Sequence, residues 1–331
     1  MKFNINRRRL VQAAGAIGAT ALPGFARSAW ADNYPSASIR LINPFAPGGT
    51  ADMLSRLFAN KLSETMKTSI VVVNMGGAGG TIGSDRVAKS APDGYTLLLS
   101  NVASQGIAPT LYSNLPYDAV KDFEHIAMFG SFPNVLVVGP GVKANDFQGF
   151  IAEAKRQPGS MTFGSAGNGS SPQLSAELLN LRTGIKARHV PFKGAGPALM
   201  AVIGGDISFQ FENCVTAIPQ VKSGKLRALG VTSAERVAVL PEVPTMQELG
   251  LADFVVGSWY GLSAPANTPK NATGLLAEAT TNVLKDPDMQ KQLSAMGVQL
   301  PPFPPSGYTG FITSEIERWR SLVKASGANI D

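Results

Sequence analysis

The chain has 331 residues, of which 44% are hydrophobic and 16% are charged, and its formal net charge is +6. This length favours about two domains of ~150 residues each, and the scattered distribution of the 35 Gly and 23 Pro excludes collagen-like and low-complexity chains. Cys214 is the single cysteine, and His125 and His189 are the only histidines. An internal disulfide is therefore excluded, and so is a Cys/His zinc site.

Residues 1–31 have the pattern of an export signal. Three arginines at 7–9 precede a mildly apolar, Ala- and Gly-rich stretch over 10–24, and Ala-Trp-Ala at 29–31 is a typical cleavage site. The paired arginines also resemble a twin-arginine signal. A membrane anchor is the alternative, but the apolar stretch is shorter than the ~20 residues that span a bilayer. We therefore predict a signal peptide over 1–31, with cleavage after Ala31.

The positive charge of the chain is concentrated in this predicted signal. Five of the 29 basic residues lie within 1–31, and none of the 23 acidic residues does. The rest of the chain is nearly neutral and lacks the charge excess of a nucleic-acid-binding protein. We expect no nucleic acid as a partner.

Short β-rich runs alternate with helical patterns along the rest of the chain. Strands are predicted at 39–42, 70–73 and 95–99, with helices beginning near Thr50 and Ile82 between them. A second series predicts strands at 135–138, 161–163, 187–190, 207–211 and 226–231, and the segment after 275 is helical. This alternation is typical of βαβ units and parallel sheets.

Two such series indicate an α/β protein of two lobes, each with a mainly parallel sheet flanked by helices. Gly and Pro interrupt the chain near 130–133 and 257–265, and we interpret both places as crossings between lobes. The expected first lobe comprises 32–131 plus 256–331, and the expected second lobe comprises 132–255.

Familiar enzyme motifs are absent from the sequence. The Gly-rich stretch at 76–83 does not fit the dinucleotide-binding pattern, and neither a phosphate-binding P-loop nor a G-x-S-x-G elbow occurs. A serine hydrolase remains an alternative, which would need His125 or His189 within hydrogen-bond reach of a serine. Cys214 has no neighbouring base in sequence and is predicted to be a small buried residue.

Five strand-to-helix junctions share one chemistry. At each junction glycine, a small polar residue or both stand directly before or at the start of a new helix. The five junctions are 47–52, 79–81, 100–104, 164–170 and 193–197. In parallel sheets such junctions meet at the carboxyl ends of the strands, where ligands bind. Helix N-termini and backbone N–H groups favour anions, so a carboxylate could be held there without arginine. The pattern indicates a binding protein rather than an enzyme.

Sequence motifs in order along nearly all of 34–327 resemble those of one family. They are Pro-Gly-Gly-Thr-Ala-Asp at 47–52, Gly-Ala-Gly-Gly-Thr-Ile-Gly at 77–83, Ala-Pro-Asp-Gly-Tyr-Thr at 91–96, Phe-Gly-Ser-Ala-Gly-Asn-Gly-Ser at 163–170, His-Val-Pro-Phe-Lys-Gly at 189–194 and Ser-Trp-Tyr-Gly-Leu at 258–262. The chain resembles the extracytoplasmic receptors of tripartite tricarboxylate transporters, also called Bug receptors. The resemblance implies a periplasmic two-lobe binding protein that closes over a small organic carboxylate and delivers it to a membrane transporter.

The resemblance, together with the junction pattern, defines a set of candidate ligand-binding residues. From the first lobe these are Phe45, Gly48, Gly49, Thr50, Asp52, Gly79, Asn101 and Ser104, and from the second they are Ser165, Gly167, Asn168, Ser170, Glu212 and Asn213. The expected partners are a small carboxylate and the membrane subunits of a tripartite tricarboxylate-type transporter. A signalling protein that reads the same ligand is the alternative partner. We expect a monomer with no metal or organic cofactor.

Three positions depart from the pattern of the family. Glu212 stands where aspartate is usual, Gln173 replaces a common histidine, and Phe192 replaces a tyrosine. The longer Glu212 side chain implies a smaller or differently shaped pocket. A dicarboxylate, a tricarboxylate such as citrate, an acidic amino acid and an aromatic carboxylate all remain candidate ligands.

Overall fold

The computed structural model describes residues 34–326. The predicted signal peptide lies outside these residues. Within 34–326, no helix combines the length and the apolar character that crossing a bilayer requires.

The described chain contains nine strands and ten α-helices. The strands are β1 (Ile39–Asn43), β2 (Ile70–Asn74), β3 (Thr96–Asn101), β4 (Phe123–Val138), β5 (Thr162–Ser165), β6 (Arg188–Pro191), β7 (Phe209–Asn213), β8 (Arg227–Val231) and β9 (Gly257–Pro265). The helices are α1 (Thr50–Met66), α2 (Thr81–Ala88), α3 (Ala108–Leu111), α4 (Phe147–Arg156), α5 (Ser171–Thr183), α6 (Ala195–Gly204), α7 (Cys214–Lys222), α8 (Lys270–Lys285), α9 (Pro287–Ala295) and α10 (Tyr308–Ser326).

The first sheet has the strand order β2-β1-β3-β9-β4. β1 runs parallel to β2 and β3, with Leu41 opposite Val72 and Leu97. β9 runs antiparallel to both β3 and β4. Because β1, β2 and β3 are parallel, the loops that follow them leave the same edge of the sheet.

The second sheet begins with the last five residues of β4. This part of β4 pairs antiparallel with β7 on one side and with β8 on the other. β5 lies between β6 and β7 and is parallel to both. The loops after β5, β6 and β7 therefore also leave one edge together.

The predicted α/β class is confirmed. All eight predicted strand segments are present: seven lie within two residues of their predicted bounds, and 135–138 is the end of β4, which begins 12 residues earlier at Phe123. The sheets differ from the expected mainly parallel form, since four of the eight strand pairings in the described chain are antiparallel. All four involve β4 or β9. Gly and Pro were expected to interrupt the chain at 130–133 and 257–265. The structure instead places 130–133 within β4, and 257–265 is β9 itself.

A buried aromatic and aliphatic core fixes the sheets against the helices. Phe150, Phe163 and Phe209 pack together under the second sheet with no exposed surface. Trp259 is also a core residue: its ring packs edge-on against Tyr308, and its Nε1 donates a 2.9 Å hydrogen bond to a carboxylate of α10. Together these contacts hold the loops at the strand ends in fixed positions.

Candidate ligand-binding site

A cavity lies between the loops that follow the strands of the two sheets. It contains about 390 Å³ of space not filled by protein atoms. Its walls are formed by Phe45, Ala46, Gly49, Ala51, Asn101, Val102, Ala103, Ala166, Ser170, Ser171, Pro172, Ala195, Asn213, Ser258 and Tyr260. None of these residues carries a charge, so polar recognition in this part of the described chain rests on hydroxyl, amide and backbone groups.

Asn101 is the polar residue of the cavity wall at the end of β3. Its Oδ1 accepts a 3.0 Å hydrogen bond from the backbone N–H of Ser104, and its Nδ2 donates to the Ser104 hydroxyl at 2.9 Å. The side chain thereby caps a six-residue π-helix, Val102–Ile107. Ser104 is fully buried and supports Asn101 without lining the cavity itself.

A cluster of hydroxyl and amide groups forms the opposite wall. The hydroxyls of Ser171 and Ser258 are 2.5 Å apart. Asn213 Nδ2 donates to Asn134 Oδ1 at 3.3 Å and to the Ser258 hydroxyl at 3.4 Å. Ser170, which precedes α5, completes this wall. The predicted set did not include Ser171, Ser258 or Tyr260, although Ser258 and Tyr260 lie in the Ser-Trp-Tyr-Gly-Leu motif.

Thr50 and Glu212 lie behind the cavity wall. The hydroxyls of Thr50 and Thr216 are 2.8 Å apart, and Thr216 donates a 2.5 Å hydrogen bond to Glu212 Oε1. Gln210 Nε2 donates to the other carboxyl oxygen of Glu212. Burial raises the pKa of Glu212 to about 8. At neutral pH this carboxyl is therefore largely protonated and places little negative charge next to Asn213.

Asp52 supports the loop after β1. Its carboxylate accepts hydrogen bonds from the Gly48 backbone N–H at 3.2 Å, from Asn74 Nδ2 at 3.0 Å and from Arg56 Nε at 3.1 Å. Burial alone would raise the pKa of Asp52, but these three donors together lower it below its usual value. Neither Asp52 nor Gly48 lines the cavity, so their observed role is to hold the loop that carries Gly49.

A second, outer groove of about 980 Å³ adjoins the cavity. It is lined by Ala46, Ala78, Gly167, Asn168, Pro191, Phe192, Lys193 and Pro197. Gly167 and Asn168 from the predicted set are therefore at this outer rim. Gly79 has a left-handed backbone (φ +62°), and a Cβ there would lie 2.1 Å from the Asn168 carbonyl oxygen, so glycine is required for this close approach.

Backbone contacts bring the loops of the two sheets together. The N–H of Ala46, after β1, donates a 3.0 Å hydrogen bond to the carbonyl of Lys193, after β6. A Cβ on Gly49 would lie 3.0 Å from the backbone nitrogen of Gly196 in α6. The described conformation therefore encloses the cavity from both sides.

Both histidines lie within hydrogen-bond reach of a serine. Ser165 Oγ is 2.6 Å from His189 Nε2, and Ser263 Oγ is 2.9 Å from His125 Nδ1. The second ring nitrogen of His125 contacts a backbone carbonyl rather than a carboxylate. Ser165 and Ser263 are both buried, and neither lines the cavity.

Burial keeps both imidazoles neutral. It lowers the pKa of His125 and of His189 to about 4 in each case. His189 also stacks on Phe163, with 4.9 Å between ring centroids. Both pairs therefore serve as packed polar contacts of the fold. Cys214 is buried as expected, and its Sγ donates to the backbone carbonyl of Met296.

Two α/β sheets joined by a shared strand, with a neutral cavity between their loops, define the class of two-lobe solute-binding proteins. The pattern of the tripartite tricarboxylate transporter family receptor matches residues 54–328. The chain belongs to this family, which consists of periplasmic substrate-binding proteins and not of enzymes.

Individual relatives agree with this assignment. The protein BugT of Bordetella pertussis is 37% identical over 327 residues, which cover 98% of this chain and all of BugT. A Rhodopseudomonas palustris protein solved with adipate has a TM-score of 0.86 and 30% identity over 89% of this chain and 99% of its own. MatC from the same organism, solved with malate, has a TM-score of 0.83 and 33% identity over 88% of this chain and all of its own.

Proposed function

We propose that this chain is an extracytoplasmic solute-binding protein that captures a small organic carboxylate and delivers it to a tripartite tricarboxylate-type transporter. The observation that carries the proposal is the enclosed cavity with neutral hydrogen-bond donors on both walls. Hydrogen bonds to a charged acceptor contribute about 1.5–3 kcal/mol each, so several such donors can hold a carboxylate. The malate and adipate complexes of the two relatives support this ligand class.

The direct contacts proposed for the ligand are a subset of the predicted residues. From that set we assign Phe45, Gly49, Asn101, Ser170 and Asn213 to the cavity wall, and we add Ser171, Ser258 and Tyr260. Gly48, Thr50, Asp52, Ser104, Ser165 and Glu212 act from behind the wall. Gly79, Gly167 and Asn168 belong to the outer rim.

The proposed mechanism is closure of two lobes around the ligand. We assign 32–131 and 256–331 to the first lobe and 132–255 to the second, with the hinge in β4 and β9. This division is supported by the change of pairing partners along β4, whose residues up to Pro133 pair with β9, whereas those from Asn134 pair with β7. Ligand binding would shift an open–closed equilibrium toward the closed form.

The proposed location is the periplasm, with the signal peptide of 1–31 removed after Ala31. Mass spectrometry of the protein recovered from the periplasmic fraction tests this proposal. A first residue at Asp32 supports it, and retention of residues 1–31 contradicts it. We further propose that the protein acts as a monomer, which light scattering of the purified protein tests.

The test of ligand binding is calorimetric titration of protein that begins at Asp32. The protein is first unfolded and refolded to remove any ligand that was carried through purification. It is then titrated with malate, adipate, citrate, glutamate and benzoate. Saturable binding of at least one carboxylate, returned chemically unchanged, supports the proposal. The absence of binding across the panel contradicts the proposed ligand class.

Two further assays separate the alternatives. Hydrolysis of p-nitrophenyl acetate that disappears in a Ser165→Ala variant would support a hydrolase, and the proposal expects no such difference. Loss of uptake of the bound carboxylate in cells that lack the protein supports delivery to a transporter. Normal uptake together with a lost transcriptional response would instead indicate a signalling partner.

A further inference from the structure

A chain of three buried side chains connects the two sheets. Thr50 begins α1, which follows β1 of the first sheet, whereas Thr216 and Glu212 belong to α7 and β7 of the second. Thr50 is 1% exposed, Thr216 is 4% exposed and Glu212 is fully buried. None of the three lines the cavity. Their contacts are therefore not explained by direct ligand binding.

The direction of the hydrogen bonds among Thr50, Thr216 and Glu212 follows from the number of protons available. With the proton of the neutral Glu212 carboxyl on Oε2, Oε1 accepts the single Thr216 hydroxyl proton at 2.5 Å, a shorter contact than the 3.3 Å to the Asn213 carbonyl oxygen. The Thr216 oxygen, 2.8 Å from the Thr50 hydroxyl, must then accept the proton of Thr50. Glu212 thus sets the orientation of Thr216, which in turn sets that of Thr50. Gln210 holds Glu212 in place through its other carboxyl oxygen.

We propose that Glu212 is a positioning residue for closure: it orients Thr216 to receive the Thr50 hydroxyl and so latches the two lobes together from behind the cavity. The inference rests on the proposed function, because the latch regulates the same cleft. Opening the cleft would separate Thr50 from Thr216 and expose both hydroxyls to water. The hydrogen bond therefore adds stability to the closed form alone.

The first experiment measures closure without any ligand. Small-angle scattering of the refolded protein is compared with that of Thr50→Val, Thr216→Val and the double variant. Valine keeps the shape of threonine and removes the hydroxyl. We expect a larger radius of gyration in both single variants and no further increase in the double variant, because both substitutions break the same bond.

Two variants serve as matched controls. Thr216→Ser restores a hydroxyl at the same position and is expected to restore the parent radius. Thr280→Val removes a buried hydroxyl that donates only to a backbone carbonyl of its own helix, at 2.8 Å, and is expected to leave the radius unchanged. An unchanged radius in Thr216→Val overturns the latch. An equal increase in the radius of gyration of Thr280→Val also overturns the latch, since the loss of any buried hydroxyl would then be enough to expand the protein.

The second experiment tests Glu212 through its effect on Thr216. Glu212→Gln retains an acceptor oxygen and is expected to retain the parent radius, whereas Glu212→Met is expected to match Thr216→Val. If Glu212→Met fails to fold, the two threonine variants still decide whether the latch exists, and Glu212→Leu replaces Glu212→Met in the test of Glu212. A parent-like radius in folded Glu212→Met would show that Glu212 does not position Thr216.

Titration with malate and adipate then distinguishes this inference from the proposed function. If either compound binds the parent, we expect about fivefold weaker binding to Thr50→Val and Thr216→Val and unchanged binding to Thr280→Val. Equal affinities in all variants contradict the latch and leave the proposed function intact. If none of the carboxylates binds the parent, the proposed function is contradicted, while the scattering result still decides the latch.

Discussion

Gly196 lies so close to Gly48 that a methyl group on Gly196 would stand 2.7 Å from the carbonyl carbon of Gly48. Gly196 is in the first turn of α6, and Gly48 is in the loop after β1. The same methyl group would be 2.8 Å from the Pro47 carbonyl oxygen and 2.9 Å from the Gly49 nitrogen. All of these atoms belong to backbone, so the clash could be relieved only by separating the two loops.

We therefore expect Gly196→Ala to disfavour the closed cleft. Overpacking of this kind costs about 1–3 kcal/mol, and we therefore expect the carboxylate to bind about 5- to 150-fold more weakly. Alanine is the better helix former, so the free protein should be at least as resistant to urea as the parent. Calorimetry and urea unfolding measure the two effects. Gly274→Ala in α8, where an added Cβ would meet no atom within 4 Å, is the control. Parent-like affinity in Gly196→Ala would show that closure does not bring these loops together.

A negative charge on the cavity wall should oppose a carboxylate ligand. Asn101→Asp is nearly isosteric, and aspartate caps a helix as well as asparagine does. A second charge about 6 Å away costs on the order of 3 kcal/mol at an effective dielectric constant of 20. We expect carboxylate affinity to fall at least tenfold in calorimetric titration. The unfolding temperature should also fall, because Asn101 is fully buried and its Nδ2 donates to the Leu99 carbonyl and the Ser104 hydroxyl. Asn180→Asp, outside the cavity at the end of α5, should bind like the parent. Unchanged affinity in Asn101→Asp would place the ligand elsewhere.

Glu212 should make the stability of the fold depend on pH. Its pKa is about 8 in the fold, raised by burial, against 4.5 when unfolded. The folded protein therefore holds more protons between these values, and the stabilisation present below about pH 4.5 is lost as pH rises through about 8. This group alone contributes a slope of up to ~1.4 kcal/mol per pH unit.

Urea unfolding from pH 5 to pH 8 measures this effect. The free energy of unfolding of the parent should fall relative to that of Glu212→Gln as pH rises. The titratable groups Cys214 and Tyr260 interact with Glu212, but burial raises the pKa of each, so both stay neutral over this range. Exposed Glu278→Gln should show no such divergence. Parallel curves for the parent and Glu212→Gln would show that Glu212 is ionised in the fold.

His189 should act in the opposite direction. Its pKa is lowered by burial to about 4, against 6.5 when unfolded, so the unfolded chain binds the extra proton. The stabilisation is present above about pH 6.5 and is lost as pH falls through about 4. Compared with His189→Gln, the parent should lose unfolding free energy between pH 6.5 and pH 4.5. An NMR titration that finds His189 protonated at pH 6 in the folded protein would contradict this expectation.

The main elements of the fold could be predicted because their residues carry strong local patterns. Leu54, Phe58 and Leu62 lie at helical spacing and are buried on one face of α1, as expected. β9 was missed because its glycines and prolines normally interrupt strands. Gly261 is needed there, since a Cβ would lie 2.4 Å from the Tyr308 hydroxyl of α10. That constraint comes from a contact 47 residues away and leaves no local pattern.

The candidate site was predictable to a similar degree. Asn101 is the last residue of β3 and Ser170 lies in the loop between β5 and α5, so their place at the cavity follows from the sheet topology. Ser258 and Tyr260 were not selected because they lie on β9, the strand that was not recognised. Glu212 was expected in the pocket, yet it lies behind the wall next to Thr216. Which way a side chain points at a strand end depends on packing that the sequence alone does not reveal.

The sharing of β4 between the two sheets has a consequence for how the protein can be divided. Residues 123–133 of β4 complete one sheet and residues 134–138 complete the other. A cut at 133 would give each fragment a new strand terminus, next to the place where the chain crosses over again at Gly257. Neither half is therefore a self-contained module for gene fusion or fragment expression, and insertions for biosensor design belong in the surface turns instead.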